Sequence, residues 1–191
     1  SVTPWANACS IAPRAPSVFG VVGHGTLIAK TGRGRERAMT NARGQRSDPM
    51  DLAFTEARAA AAYGEVPVGA VVVRDGSVLG AAGNRPRALR DPTAHAEVLA
   101  IRQACIAVGD ERLVGCDLYV TLEPCAMCAA AISFARIRRL YYGAYDPKGG
   151  AVEHGPRFFT QPTCHHKPEI YGGIDEQRAA ALLKDFFAGL R

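Results

Sequence analysis

The sequence lacks three features that would place it outside the ordinary globular proteins. No apolar run approaches the roughly 18 residues of a membrane-spanning helix, which argues against a membrane protein. No internal repeat is present, which argues against a repeat architecture. Cys9, Cys105 and Cys116 show no framework spacing, so we expect reduced thiols and a cytoplasmic location. With 48% apolar residues among 191, the chain can build one core of ordinary size.

Net charge is also missing from most of the chain. The sequence has 23 basic and 18 acidic residues, for a net charge of +5. Residues 1–48 contain seven of the basic and two of the acidic residues, so residues 49–191 contain sixteen of each. The basic excess that would suggest a nucleic-acid partner therefore lies in the first quarter of the chain and says little about the rest.

The first 48 residues show neither the helical nor the strand period, and glycine and proline interrupt them repeatedly. We expect a basic, disordered extension that is translated upstream of a functional start at Met39 or Met50. Its arginine-rich, acid-poor composition also matches an organellar transit peptide, and that alternative stays open. Residues 49–191 are patterned throughout and predict a single domain.

The pattern after residue 48 predicts the order α-β-β-α-β-α-β-α. Asp48 followed by Pro49 is typical of a helix start, and Thr93 is placed to cap the second helix. The predicted helices begin near residues 49, 94, 125 and 175, and the predicted strands cover 65–73, 77–82, 117–122 and 138–144. We therefore expect an α/β fold, a three-layer α/β/α sandwich with a mixed sheet of about five strands.

Two short segments carry residues suited to metal chemistry. Cys125 and Cys128 are three residues apart at a predicted helix start, so both sulfurs can reach one ion and the helix N-terminus favours thiolate. His95 lies near the preceding helix start and would join them if the strands before the two helices are neighbours. Three such ligands suit Zn²⁺ with a fourth position open for water. Glu97 is suited to moving protons beside that water.

Neither segment alone is specific for a catalytic metal. A single C-x-x-C pair occurs in redox sites, in half of a closed zinc site and in ordinary cores. Together, however, His95-Ala96-Glu97 followed by Pro124-Cys125-Ala126-Met127-Cys128 match the H-x-E and P-C-x-x-C pattern of zinc nucleobase deaminases. The combination therefore favours a catalytic metal site.

The flanking segments extend this match and resemble the bacterial tRNA-specific adenosine deaminases from about residue 50 to the end. The similar segments are EVPVGAVVV (65–73), GNRP (83–86), DPTAHAE (91–97), LYVTLEPCAMC (118–128), RRLYYGAYDPKGGA (138–151) and ALLKDFFAGLR (181–191). The resemblance implies a cytidine-deaminase-like fold, a homodimer, one zinc ion per chain and a tRNA anticodon loop as partner. It implies conversion of the wobble adenosine, in an arginine tRNA, to inosine.

The resemblance also implies roles for individual residues. His95, Cys125 and Cys128 would be the zinc ligands, and Glu97 the proton carrier. Asn84 would contact the adenine base that is turned out of the loop. The other implied substrate contacts are Val66, Thr93, Ala94 and Leu122 in the pocket, Asp146 and Lys148 by the substrate backbone, and Phe187 near the anticodon loop.

Structural roles compete with several of these assignments. Asn84 is an ordinary turn residue, and Phe187 has the spacing of a helix core position. We expect Glu123 to be a buried hydrogen-bonding residue and not a second catalytic acid. Cys164-His165-His166 could bind a second metal, but such short clusters more often serve packing. Residues 133–168 have a net charge of +4 and predict phosphate contacts beside the site.

Two other functions remain open at this point. One is a zinc deaminase of a free base or nucleoside, of the guanine or cytosine type, which would share His95, Glu97, Cys125 and Cys128. The other is a non-catalytic zinc or RNA-binding subunit. The presence of Glu97 argues against this second alternative, because such a subunit has no use for a proton carrier.

Overall fold

The computed structural model describes residues 48–189, so the predicted extension lies outside the described residues except for Asp48. The helices are α1 (Pro49–Ala62), α2 (Pro86–Leu89), α3 (Ala96–Val108), α4 (Ala126–Phe134) and α5 (Glu176–Ala188). The strands are β1 (Gly69–Arg74), β2 (Ser77–Gly83), β3 (Asp117–Leu122), β4 (Arg139–Ala144) and β5 (Glu169–Tyr171). None of these helices combines the length and apolar character of a bilayer-spanning helix.

The five strands form one mixed sheet in the order β2-β1-β3-β4-β5. Strand β1 is antiparallel to both β2 and β3, whereas β3, β4 and β5 are parallel. The predicted mixed α/β sandwich is confirmed. The four strands located from the pattern are all present, and the fifth is a three-residue edge strand after the long irregular segment.

Alternate side chains of β1 belong to two separate core clusters, one on each face of the sheet. Val71 and Val73 belong to the cluster that includes Phe54 of α1. Ala70 and Val72 point to the opposite cluster, to which α3 and α4 contribute. Because successive strand residues face opposite sides, β1 is covered on both faces. This explains why its sequence is continuously apolar rather than alternating.

Glycines bring the helices close to the sheet. A Cβ atom at Gly69 would overlap the carbonyl oxygen of Ala53 in α1, and one at Gly80 would overlap that of Ala100 in α3. Glycine therefore sets the distance between the sheet and one helix on each face. The close backbone approach expected at Gly69 is confirmed.

The two predicted helix caps have different outcomes. Asp48 caps α1 as expected, because its carboxylate accepts a hydrogen bond from the Met50 N–H at 2.9 Å. The predicted Thr93 cap is wrong, since α3 begins at Ala96 and His95 occupies the cap position. The Thr93 hydroxyl donates instead to the Asp91 carboxylate at 2.6 Å. The Thr93 side chain is therefore bonded to Asp91 within a local turn and does not cap the helix.

Candidate active site

The starts of α3 and α4 meet although the strands before them are not neighbours. Strand β1 separates β2 from β3, so the helix starts converge without the neighbouring strands that the sequence analysis gave as a condition. Strands β2 and β3 are both antiparallel to β1 and therefore end at the same edge of the sheet, where the Asn84 N–H extends the pairing with β1 by donating to the Val68 carbonyl at 2.9 Å. At this edge His95, at the cap of α3, lies beside Cys125, at the cap of α4.

The three predicted ligands form a site of the size that zinc requires. The His95 Nδ1 atom lies 3.7 Å from the Cys125 sulfur and 3.5 Å from the Cys128 sulfur. Tetrahedral zinc with ordinary bond lengths has S···N separations of about 3.6 Å, so the donor set fits the ion. Within residues 48–189 no other cluster of at least three His, Cys, Asp or Glu side chains has this metal-binding geometry.

Hydrogen bonds within the set favour a thiolate at Cys125. The hydrogen bond from Cys128, together with that from His95, lowers the pKa of Cys125 to about 4. The same bond and burial raise the pKa of Cys128, while the contact with Cys125 raises the pKa of His95. One sulfur is therefore readily in the thiolate form, which is the form that binds metal.

Glu97 lies in the first turn of α3 and is only 4% exposed. Burial raises the pKa of this carboxyl group. A carboxylate with a raised pKa takes up a proton more readily near neutral pH than an exposed one does. Since Glu97 and His95 line the same cavity, the carboxylate is well placed to carry protons beside the metal ligands.

Two connected cavities lie over the site. The inner cavity, about 300 Å³, is lined by Val66, Val68, Asn84, Pro86, His95, Glu97, Leu122, Glu123, Cys125, Asp146 and Gly149. The outer cavity, about 830 Å³, is lined by Val66, Leu122, Tyr145, Asp146, Lys148, Gly149, Leu183 and Phe187. They share a wall formed by Val66, Leu122, Asp146 and Gly149.

This wall contains three of the eight predicted substrate contacts. Val66, Leu122 and Asp146 line both cavities, while Lys148 and Phe187 line the outer one only. Phe187 is half exposed, which argues against a core role.

The other predicted contacts differ in position. Thr93 and Ala94 are not among the residues lining either cavity, and Ala94 is fully buried. Asn84 is 7% exposed, and its side-chain oxygen accepts a hydrogen bond from the Ala96 N–H at 2.8 Å. Its amide N–H groups remain available to the inner cavity.

Some cavity residues were not predicted from the sequence. Tyr145 and Gly149 belong to the same short segment as Asp146 and Lys148, so the sequence of that segment could have indicated them as cavity residues. Leu183 precedes Phe187 by four residues, the spacing that puts two helical side chains on one face. Helical periodicity in α5 would have found it.

The Cys164 cluster serves packing, which is the role favoured from its sequence. The Cys164 sulfur lies 3.6 Å from the Ser133 hydroxyl and donates to the His166 carbonyl. His166 uses its Nε2 atom to contact the Ile137 carbonyl at 2.6 Å. These interactions leave no shared ligand position for a second metal among the three residues.

The predicted basic strip is not one surface. Arg138 forms two hydrogen bonds with Asp117, and Arg139 forms one with Glu169. Both arginines lie at the start of β4, whereas the cavities lie beyond the opposite end of the strand, next to Asp146. The expectation that these two arginines face the site is therefore wrong.

Three exposed arginines instead lie in the segment that comes directly after β2 in the sequence. Arg85, Arg87 and Arg90 are exposed, and none of them pairs with a carboxylate within the described part of the chain. They flank Asn84 and Pro86, which line the inner cavity. Arg85 lies over the Tyr63 ring at 5.8 Å.

Comparisons with known proteins agree with this geometry. The family described as the cytidine and deoxycytidylate deaminase zinc-binding region matches residues 43–144. A tRNA-specific adenosine deaminase from Agrobacterium fabrum is 64% identical over 143 residues, which are 75% of this chain and 94% of the relative.

Solved structures show the same relationship. A structure from studies of A-to-I editing by tRNA:A34 deaminases is 66% identical, with a TM-score of 0.70, and the match covers 71% of this chain and 98% of that one. A guanine deaminase from Bacillus subtilis is 32% identical, with a TM-score of 0.51 and coverage of 74% and 91%. This chain belongs to the family of bacterial tRNA-specific adenosine deaminases, enzymes within the cytidine and deoxycytidylate deaminase superfamily.

Proposed function

We propose that the enzyme uses one zinc ion per chain to convert adenosine to inosine at the wobble position of a tRNA anticodon, with arginine tRNA as the substrate. The observation that carries this proposal is the meeting of three zinc-type ligands and a buried glutamate at an inner cavity that continues into a larger outer one. We also propose a cytoplasmic homodimer, on the family resemblance alone.

The chemistry is divided between the metal and Glu97. When bound by His95, Cys125 and Cys128, zinc would keep one coordination position for water and bring the pKa of that water near 7. Glu97 would take a proton at the start of the reaction. It would give this proton to the ring nitrogen, then take the second proton of the same water and give it to the departing amine, so that the water supplies the new carbonyl oxygen and both protons and ammonia leaves.

Asn84 and the cavity walls would hold the base. The Asn84 amide can donate a hydrogen bond to the edge of a purine, while Val66 and Leu122 supply apolar contact. Turning an adenine into this cavity requires less energy from an unpaired anticodon loop than from a duplex. A loop substrate therefore suits a site with a buried reaction centre.

The outer cavity is the feature that favours RNA over a free base. It offers Tyr145 and Phe187 for stacking and Lys148 for a phosphate. The exposed arginines at positions 85, 87 and 90 add positive charge beside the inner cavity. A free base would fill the inner cavity alone and leave these groups unused.

The main alternative is a deaminase of free guanine, supported by the similarity to the Bacillus subtilis guanine deaminase. The two assignments differ in what the enzyme does without RNA. The purified full chain should be incubated with an arginine anticodon stem-loop that carries wobble adenosine, and separately with adenosine, cytosine and guanine. We expect inosine only from the stem-loop. Guanine conversion without stem-loop conversion would favour the alternative.

The same assay addresses the non-catalytic alternative and the metal. Zinc-loaded protein that converts none of the substrates would favour a binding subunit. Chelation should abolish inosine formation, and one equivalent of zinc per chain should restore it. Sedimentation should give twice the chain mass of 20.3 kDa, and a value at the single-chain mass would contradict the homodimer.

A further inference from the structure

We propose that Glu123 and His154 form a positioning pair that holds residues 145–154 against the start of α4. This segment is called the wall loop below, because Asp146 and Gly149 belong to the wall shared by the two cavities. The inference rests on the proposed function, since the wall loop is assigned to the binding of the tRNA substrate.

The Glu123 carboxylate accepts hydrogen bonds from four of the ten residues of the wall loop. Its side chain is fully buried. One oxygen accepts from the Asp146 N–H at 3.0 Å. The other accepts from the backbone N–H groups of Val152, Glu153 and His154 at 3.1, 2.8 and 3.0 Å. A single carboxylate therefore satisfies four backbone donors of one loop.

The imidazole of His154 makes the fifth bond to this carboxylate. Its Nδ1 atom lies 2.7 Å from the Glu123 oxygen that also binds the Asp146 N–H. The same ring meets Tyr145 edge-on at 6.0 Å between centroids. His154 thus contacts both the buried carboxylate and a residue that lines the outer cavity.

The wall loop is also tied to the metal-binding segment. The Ala151 N–H donates to the Pro124 carbonyl at 2.9 Å, and Gly150 forms an isolated β-bridge with Cys125. A Cβ atom at Gly150 would lie 2.5 Å from the Glu123 carboxyl carbon. Glycine is required here, because the loop backbone passes directly over the carboxylate.

The rest of the wall loop depends on this anchor. The Asp146 side chain accepts from the N–H groups of Lys148 and Gly149, both at 3.0 Å, so these residues move with Asp146. The Asp146 backbone is in turn held by Glu123. Loosening the anchor should therefore displace the substrate contacts and leave the ligands on α3 and α4 in position.

A purely structural pair and a positioning pair predict different kinetics. Loss of a structural contact lowers the folded, zinc-loaded fraction, so kcat falls with zinc content and KM is unchanged. Loss of a positioning contact weakens the binding of the stem-loop, so KM rises while kcat and zinc content hold.

The test uses His154→Ala in the full chain, with His165→Ala as a matched control. The control residue lies outside the wall loop, and its ring contacts Phe134. We expect KM for the stem-loop to rise about tenfold or more in His154→Ala, as for one hydrogen bond to a charged group. His154→Asn keeps a donor near the Nδ1 position and should restore KM. The control should match wild type.

Hydrogen exchange provides a readout that does not need activity. The amides of Asp146, Glu153 and His154 should exchange at least tenfold faster in His154→Ala and at the wild-type rate in the control. Unchanged exchange, or a fall in kcat with zinc content at constant KM, would overturn the positioning role. Failure of the proposed function would appear differently, as wild-type protein that makes no inosine.

Discussion

The side-chain oxygen of Asn84 accepts a hydrogen bond from the backbone N–H of Ala96 at 2.8 Å, which fixes the end of β2 to the first turn of α3. His95 and Glu97 flank that N–H group. Asn84 also lines the inner cavity with its remaining amide donors. One residue therefore holds the turn that contains His95 and Glu97 in place and, under the proposed function, would also offer donors to the base.

These two tasks can be separated by substitution. Asn84→Asp keeps the acceptor and places a negative charge at a helix N-terminus, so stability should stay close to wild type. Asn84→Ala removes the buried bond and should lower the free energy of unfolding by about 1–3 kcal/mol. Both should lose at least tenfold in kcat/KM for the stem-loop. Urea unfolding and inosine assays measure the two effects, and a fully active Asp variant would refute the donor role.

Glu97→Gln should retain the fold and the zinc ion but lose turnover by roughly 10²–10⁴-fold, because the amide cannot carry a proton. Zinc content and inosine yield should be measured on the same preparation. Glu111→Gln, at an exposed position, is the control and should behave as wild type. Rapid inosine formation by the Glu97 variant would contradict the proton-carrier role.

The three arginines after β2 should contribute to the salt dependence of stem-loop binding. Arg87→Ala and Arg90→Ala should each reduce the slope of log affinity against log salt by roughly 0.7–0.9, the value for one lost phosphate contact. Arg138→Ala should leave the slope unchanged, since Asp117 already pairs with that arginine. A reduced slope in Arg138→Ala would instead support the phosphate contacts predicted for the basic strip.

The first 45 residues should be dispensable for inosine formation. A chain that starts at Arg46 should match the full chain in activity and stability. A chain that starts at Pro49 should remain active but lose about 1 kcal/mol of unfolding free energy, because it lacks the Asp48 cap. Denaturant unfolding and the inosine assay distinguish these outcomes. Loss of activity in the first truncation would assign the extension a catalytic task.

Thr93 should influence stability through Asp91. Hydrogen bonds from its hydroxyl and backbone N–H lower the pKa of Asp91, so their contribution is present above the ordinary aspartate pKa and is lost as pH falls through the lowered value. Thr93→Val should raise that pKa, which NMR titration of the carboxyl group can follow. The stability difference from wild type should be present at neutral pH and vanish below both pKa values.

The ligands were predictable because their pattern is local. Two cysteines three residues apart at a helix start share a face in any fold. Their meeting with His95 was not derivable from local pattern, because β1 lies between the preceding strands. The position of His95 depends on the path of the segment after β2. Strand β5 was missed in the pattern for a related reason. Three residues at a sheet edge are too few to show alternation.

Ion pairs and the burial of Asn84 also escaped the sequence, whereas the burial and hydrogen bonding of Glu123 were predicted. Arg138 and Lys148 contribute equally to a charge count, yet only Lys148 lies at a cavity. Asn84 has the composition of a turn residue, and only the packing of α3 against β2 shows that it is buried. Charge and turn statistics are local quantities, whereas burial depends on the whole fold.

The wall shared by the two cavities has a consequence for engineering. Val66, Leu122, Asp146 and Gly149 line both the inner cavity, which would hold the base under the proposed function, and the outer cavity, which would hold its neighbours. A substitution selected to accept a new flanking nucleotide would therefore also reshape the pocket for the target base. Changes in sequence context and in base preference should evolve together, with non-additive effects between wall positions.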